Sequence, residues 1–295
     1  MRILVTGAAG LIGHRVIEIL GSTHEPIALL RSKAGATPFV DCIEADLADP
    51  SFASKLPATV GAVIHLAQAP GFTNFPEDAS SVFKVNVSAL TELLNWASRA
   101  GARTFVHAST GGLYGRGAQP FREEDPLNIE GPLSFYYGTK AAAELLAKAY
   151  GKVFNIVALR YFFVYGPRQR ETMLIPRLVK SVRLGNPVTL AGPDGMFFNP
   201  IYVDDAAEAA VAALDLEQSA TVNVAGEEVV SLRTLSEIIG ECVGTTPNFQ
   251  TSDDTAAQDI IGDASRMRST LHQPRVLLRE GITRVVEYAE PAARP

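Results

Sequence analysis

The eight residues from Thr6 to Gly13, "TGAAGLIG", constrain the fold of this chain more than any other stretch. They set Gly7, Gly10 and Gly13 between the apolar run Ile3-Leu4-Val5 and a helical run from Leu11 to Leu20. A strand that ends in glycines and opens straight into a helix reads as the first turn of a parallel sheet, whose ligands bind beyond the carboxyl ends of the strands. The first glycine permits the tight turn, the second lets backbone N–H groups approach a pyrophosphate, and the third lets the helix pack close to the strand. The ligand implied by this spacing is a dinucleotide.

The rest of the chain repeats the alternation. Short apolar runs at Ile27 to Leu30, Cys42 to Ala45, Ala62 to Leu66, Thr104 to Ala108 and Ile156 to Leu159 lack apolar/polar alternation, as strands buried on both faces do. Between them, Ala79 to Ala100 and Ser134 to Tyr150 carry apolar residues at helical spacing. Strand and helix in succession predict an α/β fold, a doubly wound parallel sheet with right-handed crossovers. After Gly166-Pro167, proline and glycine recur and the elements become shorter, with helices expected at Asp204 to Leu214, Ser231 to Val243 (Ser231 as N-cap, Gly244 past the end) and Leu277 to Ala289. We expect a dinucleotide-binding domain over 1–166 that also takes in roughly 199–225, and a smaller substrate-binding lobe from 167–198 and 226–295.

Composition excludes several classes. The 295 residues carry a net charge of −6, against a broad polyanion-binding face, so no nucleic acid is expected. No window approaches the roughly 18 apolar residues of a membrane span, and the N-terminus lacks a signal-peptide pattern, so we expect a soluble, cytoplasmic chain with no membrane partner. Two distant cysteines, Cys42 and Cys242, suggest neither a disulfide framework nor a zinc site. The five histidines show no metal spacing, and His65 and His107, in strand runs, read as packed, hydrogen-bonded core residues. No metal is expected. The partner implied is a small molecule.

Eight motifs stand in an order that resembles the extended short-chain dehydrogenase/reductases, the family of NAD-dependent epimerases and dehydratases. They are "TGAAGLIG", "ADLAD" (from Ala45), "VIHLAQ" (from Val63), "NV" (Asn86-Val87), "STGGLYG" (from Ser109), "YYGTK" (from Tyr136), "LRYFFVYGP" (from Leu159) and "IYVDDAAEA" (from Ile201). The resemblance spans nearly the whole chain and implies a Rossmann domain that binds NAD or NADP. It implies cofactor contacts from Gly7, Gly10, Leu11, Ile12 and Gly13, and from Asp46 and Leu47 beside the adenine. Leu66, Ala67 and Gln68 would line the cofactor groove, Asn86 would support the active-site end, and Tyr161, Phe163 and Val164 would complete the contacts. It further implies that the helices at Ala79 to Ala100 and Ser134 to Tyr150 pair across a two-fold axis, giving a homodimer.

Tyr136 and Lys140, four apart, project from one face of a helix. At about 4 Å and an effective dielectric of about 20, an ammonium attracts a phenolate by some 4 kcal/mol, or at most about three pKa units. Tyr136 would then exchange a proton with a substrate hydroxyl while nicotinamide exchanges a hydride with the same carbon. By resemblance Lys140 also holds the nicotinamide ribose, and Thr110, rather than Ser109, holds the substrate oxygen. Tyr137 reads as core or subunit interface, and Asp204-Asp205 as helix capping and dipole stabilisation.

Where NAD-preferring relatives carry an acid after the second strand, this chain has Arg31, with Lys33 nearby. A guanidinium suits a 2′-phosphate, so NADP is expected over NAD. Gly111 and Gly112 stand where dehydratases of the family carry an acid pair, which disfavours elimination. Phe163 replaces a family Asn, and Phe198-Asn199 replace Arg-Asp, removing polar groups used around a nucleotide diphosphate, while Arg160, Arg168, Arg170 and Arg177 remain in or near the expected substrate lobe. The sequence therefore favours a reductase acting on a secondary alcohol or ketone of a sugar or nucleotide-sugar-like substrate. The alternatives are a sugar 4-epimerase that retains its NAD and, last, a non-catalytic NADP-sensing protein.

Overall fold

The computed structural model describes residues 1–32, 40–252 and 259–289. In chain order its strands are β1 (Arg2–Thr6), β2 (Glu25–Leu30), β3 (Asp41–Glu44), β4 (Ala62–His65), β5 (Thr104–Thr110), β6 (Asn155–Tyr161), β7 (Val188–Ala191), β8 (Phe197–Phe198), β9 (Ala220–Val224), β10 (Val230–Ser231) and β11 (Phe249–Ser252). The helices are α1 (Leu11–Leu20), α2 (Ala79–Phe83), α3 (Ala89–Ala100), α4 (Ser134–Ala149), α5 (Leu174–Arg183), α6 (Val203–Ala212), α7 (Leu232–Val243), α8 (Ser265–Thr270) and α9 (Leu278–Ala289).

The first six strands and β9 form one parallel sheet in the order β3-β2-β1-β4-β5-β6-β9. The winding reverses between β1 and β4, which creates a crevice at the carboxyl ends of those strands. Alternate residues of each strand feed opposite layers. Ile3 and Val5 pack with Val16, Ile17 and the alanines of α6, whereas Leu4, Val63 and Phe105 pack with Leu90, Leu93 and Ala143 from α3 and α4. The sheet is thus buried on both faces, which is why its strands read as unbroken apolar runs.

Beyond Gly166 the chain is more regular than its proline and glycine content suggests. Ile175, Leu178, Val179 and Val182 bury one face of the ten-residue α5, and Pro176 is tolerated because it falls in the first turn, where an N–H has no helical partner. With α7, α9 and two small sheets, β7–β11 (parallel) and β8–β10 (antiparallel), α5 closes a third core around Tyr165, Leu190, Phe198, Leu235 and Ile282. The stop signals of α7 act as the sequence predicts: the Ser231 hydroxyl accepts from the Thr234 N–H at 3.0 Å, and Gly244 takes the left-handed conformation (φ 70°).

The expected helix from Ala79 to Ala100 runs continuously but carries one turn of π-helix, Lys84–Ser88, between α2 and α3. Among the described residues no helix is long and apolar enough to cross a membrane.

Candidate active site

The glycine turn is a backbone device. Gly7 takes φ 69°, and a Cβ there would lie 2.8 Å from the Ala67 nitrogen, so this position combines left-handed backbone with a close approach to the β4 loop. A Cβ on Gly13 would stand 2.2 Å from the Gly7 carbonyl oxygen, the tight helix–strand contact that the spacing predicts. The Gly10 N–H donates to the Gly7 carbonyl at 2.8 Å, and α1 then begins with neither a side-chain cap nor an acidic residue in its first turn. Its leading N–H groups and dipole suit an anion. A cleft of about 400 Å³ opens beside this turn, bordered by Gly10, Leu11, Arg15, Arg168 and Asp204.

Across the switch point a second half of the site is built from side chains. The loop after β4 is pinned on either side of Gln68. The Ala67 N–H donates to the Thr6 hydroxyl at 3.2 Å, and the Ala69 N–H donates to Asn86 Oδ1 at 3.2 Å. Asn86, in the π turn, donates through Nδ2 to the Thr139 hydroxyl at 3.0 Å, and that hydroxyl donates to the Tyr136 carbonyl at 2.7 Å. Asn86 therefore ties this loop to the turn of α4 that carries Tyr136. Tyr136 is 8% exposed, its hydroxyl donates to Gln68 Oε1 at 3.0 Å, and Phe72 covers its ring at 4.8 Å between centroids. Lys140, 3% exposed, donates to the Ala108 carbonyl at 2.9 Å and lies 6.0 Å from the centre of the Tyr136 ring.

Burial dominates the electrostatics. It brings the Lys140 pKa down to about 8, while the Glu144 carboxylate one turn on favours the charged form. Tyr136 is pushed above the ordinary phenol range, first by burial and then by Tyr137, with the Thr110 hydroxyl opposing. The expected lowering of Tyr136 by Lys140 is not seen: the phenol is desolvated, and the ammonium is directed into the Ala108 carbonyl.

The family comparison agrees with this geometry. The model of the NAD dependent epimerase/dehydratase family matches residues 3–225, which include the whole of both half-sites. The chain belongs to that family. It is a nicotinamide-dinucleotide-dependent enzyme. It is similar to the uncharacterized UDP-glucose epimerase YtcB of Bacillus subtilis (31% identical, 98% of each chain covered). Among solved structures it is similar to the Thermus thermophilus UDP-glucose 4-epimerase in complex with NAD (28% identical, TM-score 0.84, 98% of each chain). It is also similar to the Bacillus cereus UDP-glucuronic acid 4-epimerase in complex with NAD (27% identical, TM-score 0.85, 98% of this chain and 96% of that one).

Against this family background, the other sequence-predicted residues fall as follows. Leu11 and Ile12, half-buried, open α1, and Leu66 and Ala67, also half-buried, follow β4. Asp46, exposed, accepts from the Ala48 N–H beside the buried Leu47. Tyr161 is buried at the end of β6, and Phe163 takes φ 44° with its ring 4.8 Å from Phe198; Val164 follows, half-buried. Thr110, at the end of β5, accepts from the Gly112 N–H at 3.2 Å. Arg31 is exposed at the end of β2 and makes no ion pair among the described residues. Lys33 lies outside the described residues.

Several expectations need correction. Arg160 does not face a substrate: it is 6% exposed and pairs bidentately with Glu144 (3.0 and 2.7 Å), in a network where the Ser109 hydroxyl donates to Glu144 and Tyr114 bridges Arg160 to Asn223. Sequence spacing could not join Glu144 on α4 to Arg160 on β6, although a glutamate four residues past Lys140 was a visible clue. Asp204 and Asp205 stand in the first turn of α6, where carboxylates suit the helix dipole, but neither caps the helix with its side chain. Asp204 pairs with Arg15, and the buried Asp205 accepts from His272 and from the Arg275 and Val276 N–H groups, fastening the segment before α9. His65 is bonded to the Thr6 hydroxyl, but His107, stacked on it at 5.8 Å, has no hydrogen-bond partner among the described residues. Tyr137 packs its ring over Gly112, where a Cβ would lie 2.4 Å away, and beside the Tyr136 ring at 5.5 Å between centroids. Among the described residues no group of histidines, cysteines and carboxylates could hold a metal ion.

Proposed function

We propose that this enzyme is a nucleotide-sugar 4-epimerase that keeps its NAD bound. The observation that carries this reading is the chemistry available around Tyr136. A phenol, the Thr110 hydroxyl and the Lys140 ammonium converge at the carboxyl ends of the strands, without a carboxylate pair for elimination. Gly111 and Gly112 occupy the positions where such a pair would stand, and the rings of Phe162 and Tyr137 fill the space that a side chain there would need. The names of the similar proteins, UDP-glucose and UDP-glucuronic acid 4-epimerases, support the substrate class.

In this reading the Gly7–Gly13 turn and the first amides of α1 hold the pyrophosphate, Asp46 and Leu47 flank the adenine, and Leu66, Ala67, Tyr161, Phe163 and Val164 line the groove. Bound nicotinamide supplies a hydride acceptor that later returns the hydride to the same carbon. Tyr136 takes the hydroxyl proton and gives it back, Lys140 holds the ribose and supplies positive charge, and Thr110 steadies the oxygen as charge develops. The lobe of 167–198 and 226–295 receives the nucleotide, with Arg168 and Arg170 exposed toward solvent. Homodimerisation through α2–α3 and α4 would cover Phe83, Leu145 and Leu146, which are exposed in the single chain. The free thiols Cys42 and Cys242 suit a cytoplasmic setting.

The test is to assay purified protein for bound cofactor and then for conversion of UDP-glucose to UDP-galactose. Product without net change in NADH absorbance supports the epimerase. A second reading, an NADP-dependent reductase, is favoured by Arg31, an exposed cation just after β2 whose guanidinium would suit a 2′-phosphate. It predicts NADPH binding at least about tenfold tighter than NADH, reversed in Arg31→Asp, and stoichiometric NADPH consumption. Calorimetry is the suitable probe, since Trp96 on α3 is buried and donates to the Pro57 carbonyl away from the groove.

A further inference from the structure

By resemblance Gln68 is one of three residues that line the cofactor groove. The structure gives it another contact: Oε1 accepts the hydroxyl proton of Tyr136 at 3.0 Å, and so touches the atom that exchanges protons in the reaction proposed above. The placement is built. Backbone hydrogen bonds to Thr6 and Asn86 fix the residues immediately before and after Gln68, and Asn86 also fixes the turn of α4 bearing Tyr136. Phe72 lies over the phenol ring and excludes water from that side.

We propose that Gln68 is a catalytic residue, an amide that serves the Tyr136 oxygen in both of its protonation states. In an epimerase that oxygen must be a base in the first half-reaction and an acid in the second. The substrate hydroxyl gives its proton to the Tyr136 phenolate as the carbon's electron pair leaves with the hydride; in the return step the phenol gives the proton back as the hydride returns. A carboxylate or a carbonyl could accept only from the phenol, and an ammonium could donate only to the phenolate. A carboxamide does either, because its two ends are nearly isosteric and a half-turn about its last bond exchanges Oε1 for Nε2. Gln68 accepts from the neutral phenol, as seen here, and donates to the phenolate once the proton has left.

The proposal rests on the redox-and-return reading for its direction, but its test does not. The groups facing Tyr136 are Lys140 and Tyr137 on α4, with Arg116 acting on Tyr137, Thr110 on β5, and, beneath Lys140, His65 and His107. All stay in place in Gln68→Met, which keeps the length without the hydrogen bonds, and in Gln68→Glu, which accepts only and adds negative charge.

In holoenzyme assayed with UDP-glucose, Gln68→Met should lower kcat about 10- to 100-fold with KM within about threefold and with cofactor content unchanged. Gln68→Met loses both bonds, and because the charge-assisted bond to the phenolate is the stronger, the pKa of Tyr136 rises and the acid limb of the kcat profile moves to higher pH, further still in Gln68→Glu. A second readout needs no substrate. Titration of tyrosinate absorbance in holoenzyme, each protein against its own Tyr136→Phe control, should place the Tyr136 transition at higher pH in Gln68→Met than in wild type. If wild type turns over no nucleotide sugar, the functional reading fails while this titration still decides the role of Gln68. Coincident titrations, or a variant that loses cofactor while keeping kcat and its pH profile, would overturn the proposal and leave Gln68 as groove lining.

Discussion

The two halves of the site stand on either side of β4 and are built in opposite ways. On the β1 side the glycine turn offers backbone N–H groups and almost no side chains, and what makes it possible is the absence of Cβ atoms at Gly7 and Gly13. On the β5 side the proposed catalytic centre is assembled from side chains of the loop after β4, the π turn and α4, against the end of β5, and held by burial and reciprocal hydrogen bonds. A site made of backbone binds whatever carries the right charge at the right place. One made of buried side chains can adjust the proton affinity of each group. In the proposed function, cofactor holding and proton transfer are divided along that line.

The largest expected effect that would test this division is Tyr136→Phe: kcat should fall by about two to four orders of magnitude while bound cofactor, read from the absorbance of the purified protein, stays at the wild-type level. Loss of cofactor in that variant would show that the two halves are not separable. Next comes Arg160→Met, which leaves Glu144 buried without its partner. It should destabilise the fold by about 3–5 kcal/mol in urea unfolding, and a second change, Glu144→Leu, should restore much of that.

Gly13→Ala should cost less, about 1–3 kcal/mol from overpacking against the Gly7 carbonyl, yet it should lower cofactor affinity at least about tenfold by displacing the turn. Full affinity in that variant would break the claim that the β1 half depends on missing Cβ atoms. A further expected effect concerns pH. Burial lowers His65 to about 3 and His107 well below its usual value, with the Lys140 charge adding to both. Unfolded histidines titrate near 6.5, so below that pH the unfolded chain binds protons that the folded one refuses. Stability should fall with decreasing pH from about 6.5 toward 3, by about 1.4 kcal/mol per unit for each histidine. His107→Phe should halve that histidine-dependent slope, measured from urea midpoints between pH 7.5 and 5.

The same division explains what could be read from the sequence. The requirement for Gly7, Gly10 and Gly13 is local, so the turn, its strand and its helix were legible at once, as were the doubly buried strands, whose apolar runs announce two covered faces. The motif order gave the family and the positions of Thr110, Tyr136 and Lys140. The partners of those residues were not legible, because they depend on contacts between distant elements. Gln68 reaches Tyr136 across 68 positions, and Asn86 reaches Thr139 across 53. Arg160 illustrates the failure most clearly: a cation in a family motif suggests a phosphate, but register with Ser109 on β5 and proximity to Glu144 turn it inward. Phe163 reads as a lost polar contact, whereas the fold uses its ring against Phe198 to join the sheet to the third core.

The π turn at Lys84–Ser88 adds a constraint on the length of the chain. A wide turn holds one residue more than an α-helical turn of the same rise, so helix α2 before it is rotated by about 100° relative to a straight continuation of α3. That phase offset allows Asn86 to face the sheet while Leu90, Leu93 and Leu94 still face the core behind it. Removing a single residue here would let the helix relax to ordinary geometry at little local cost. It would also swing Asn86 out of reach of both Ala69 and Thr139. The alignment of the proposed proton-transfer centre therefore depends on counting residues within one helix, and a deletion there would uncouple the loop carrying Gln68 from the helix carrying Tyr136 without removing either.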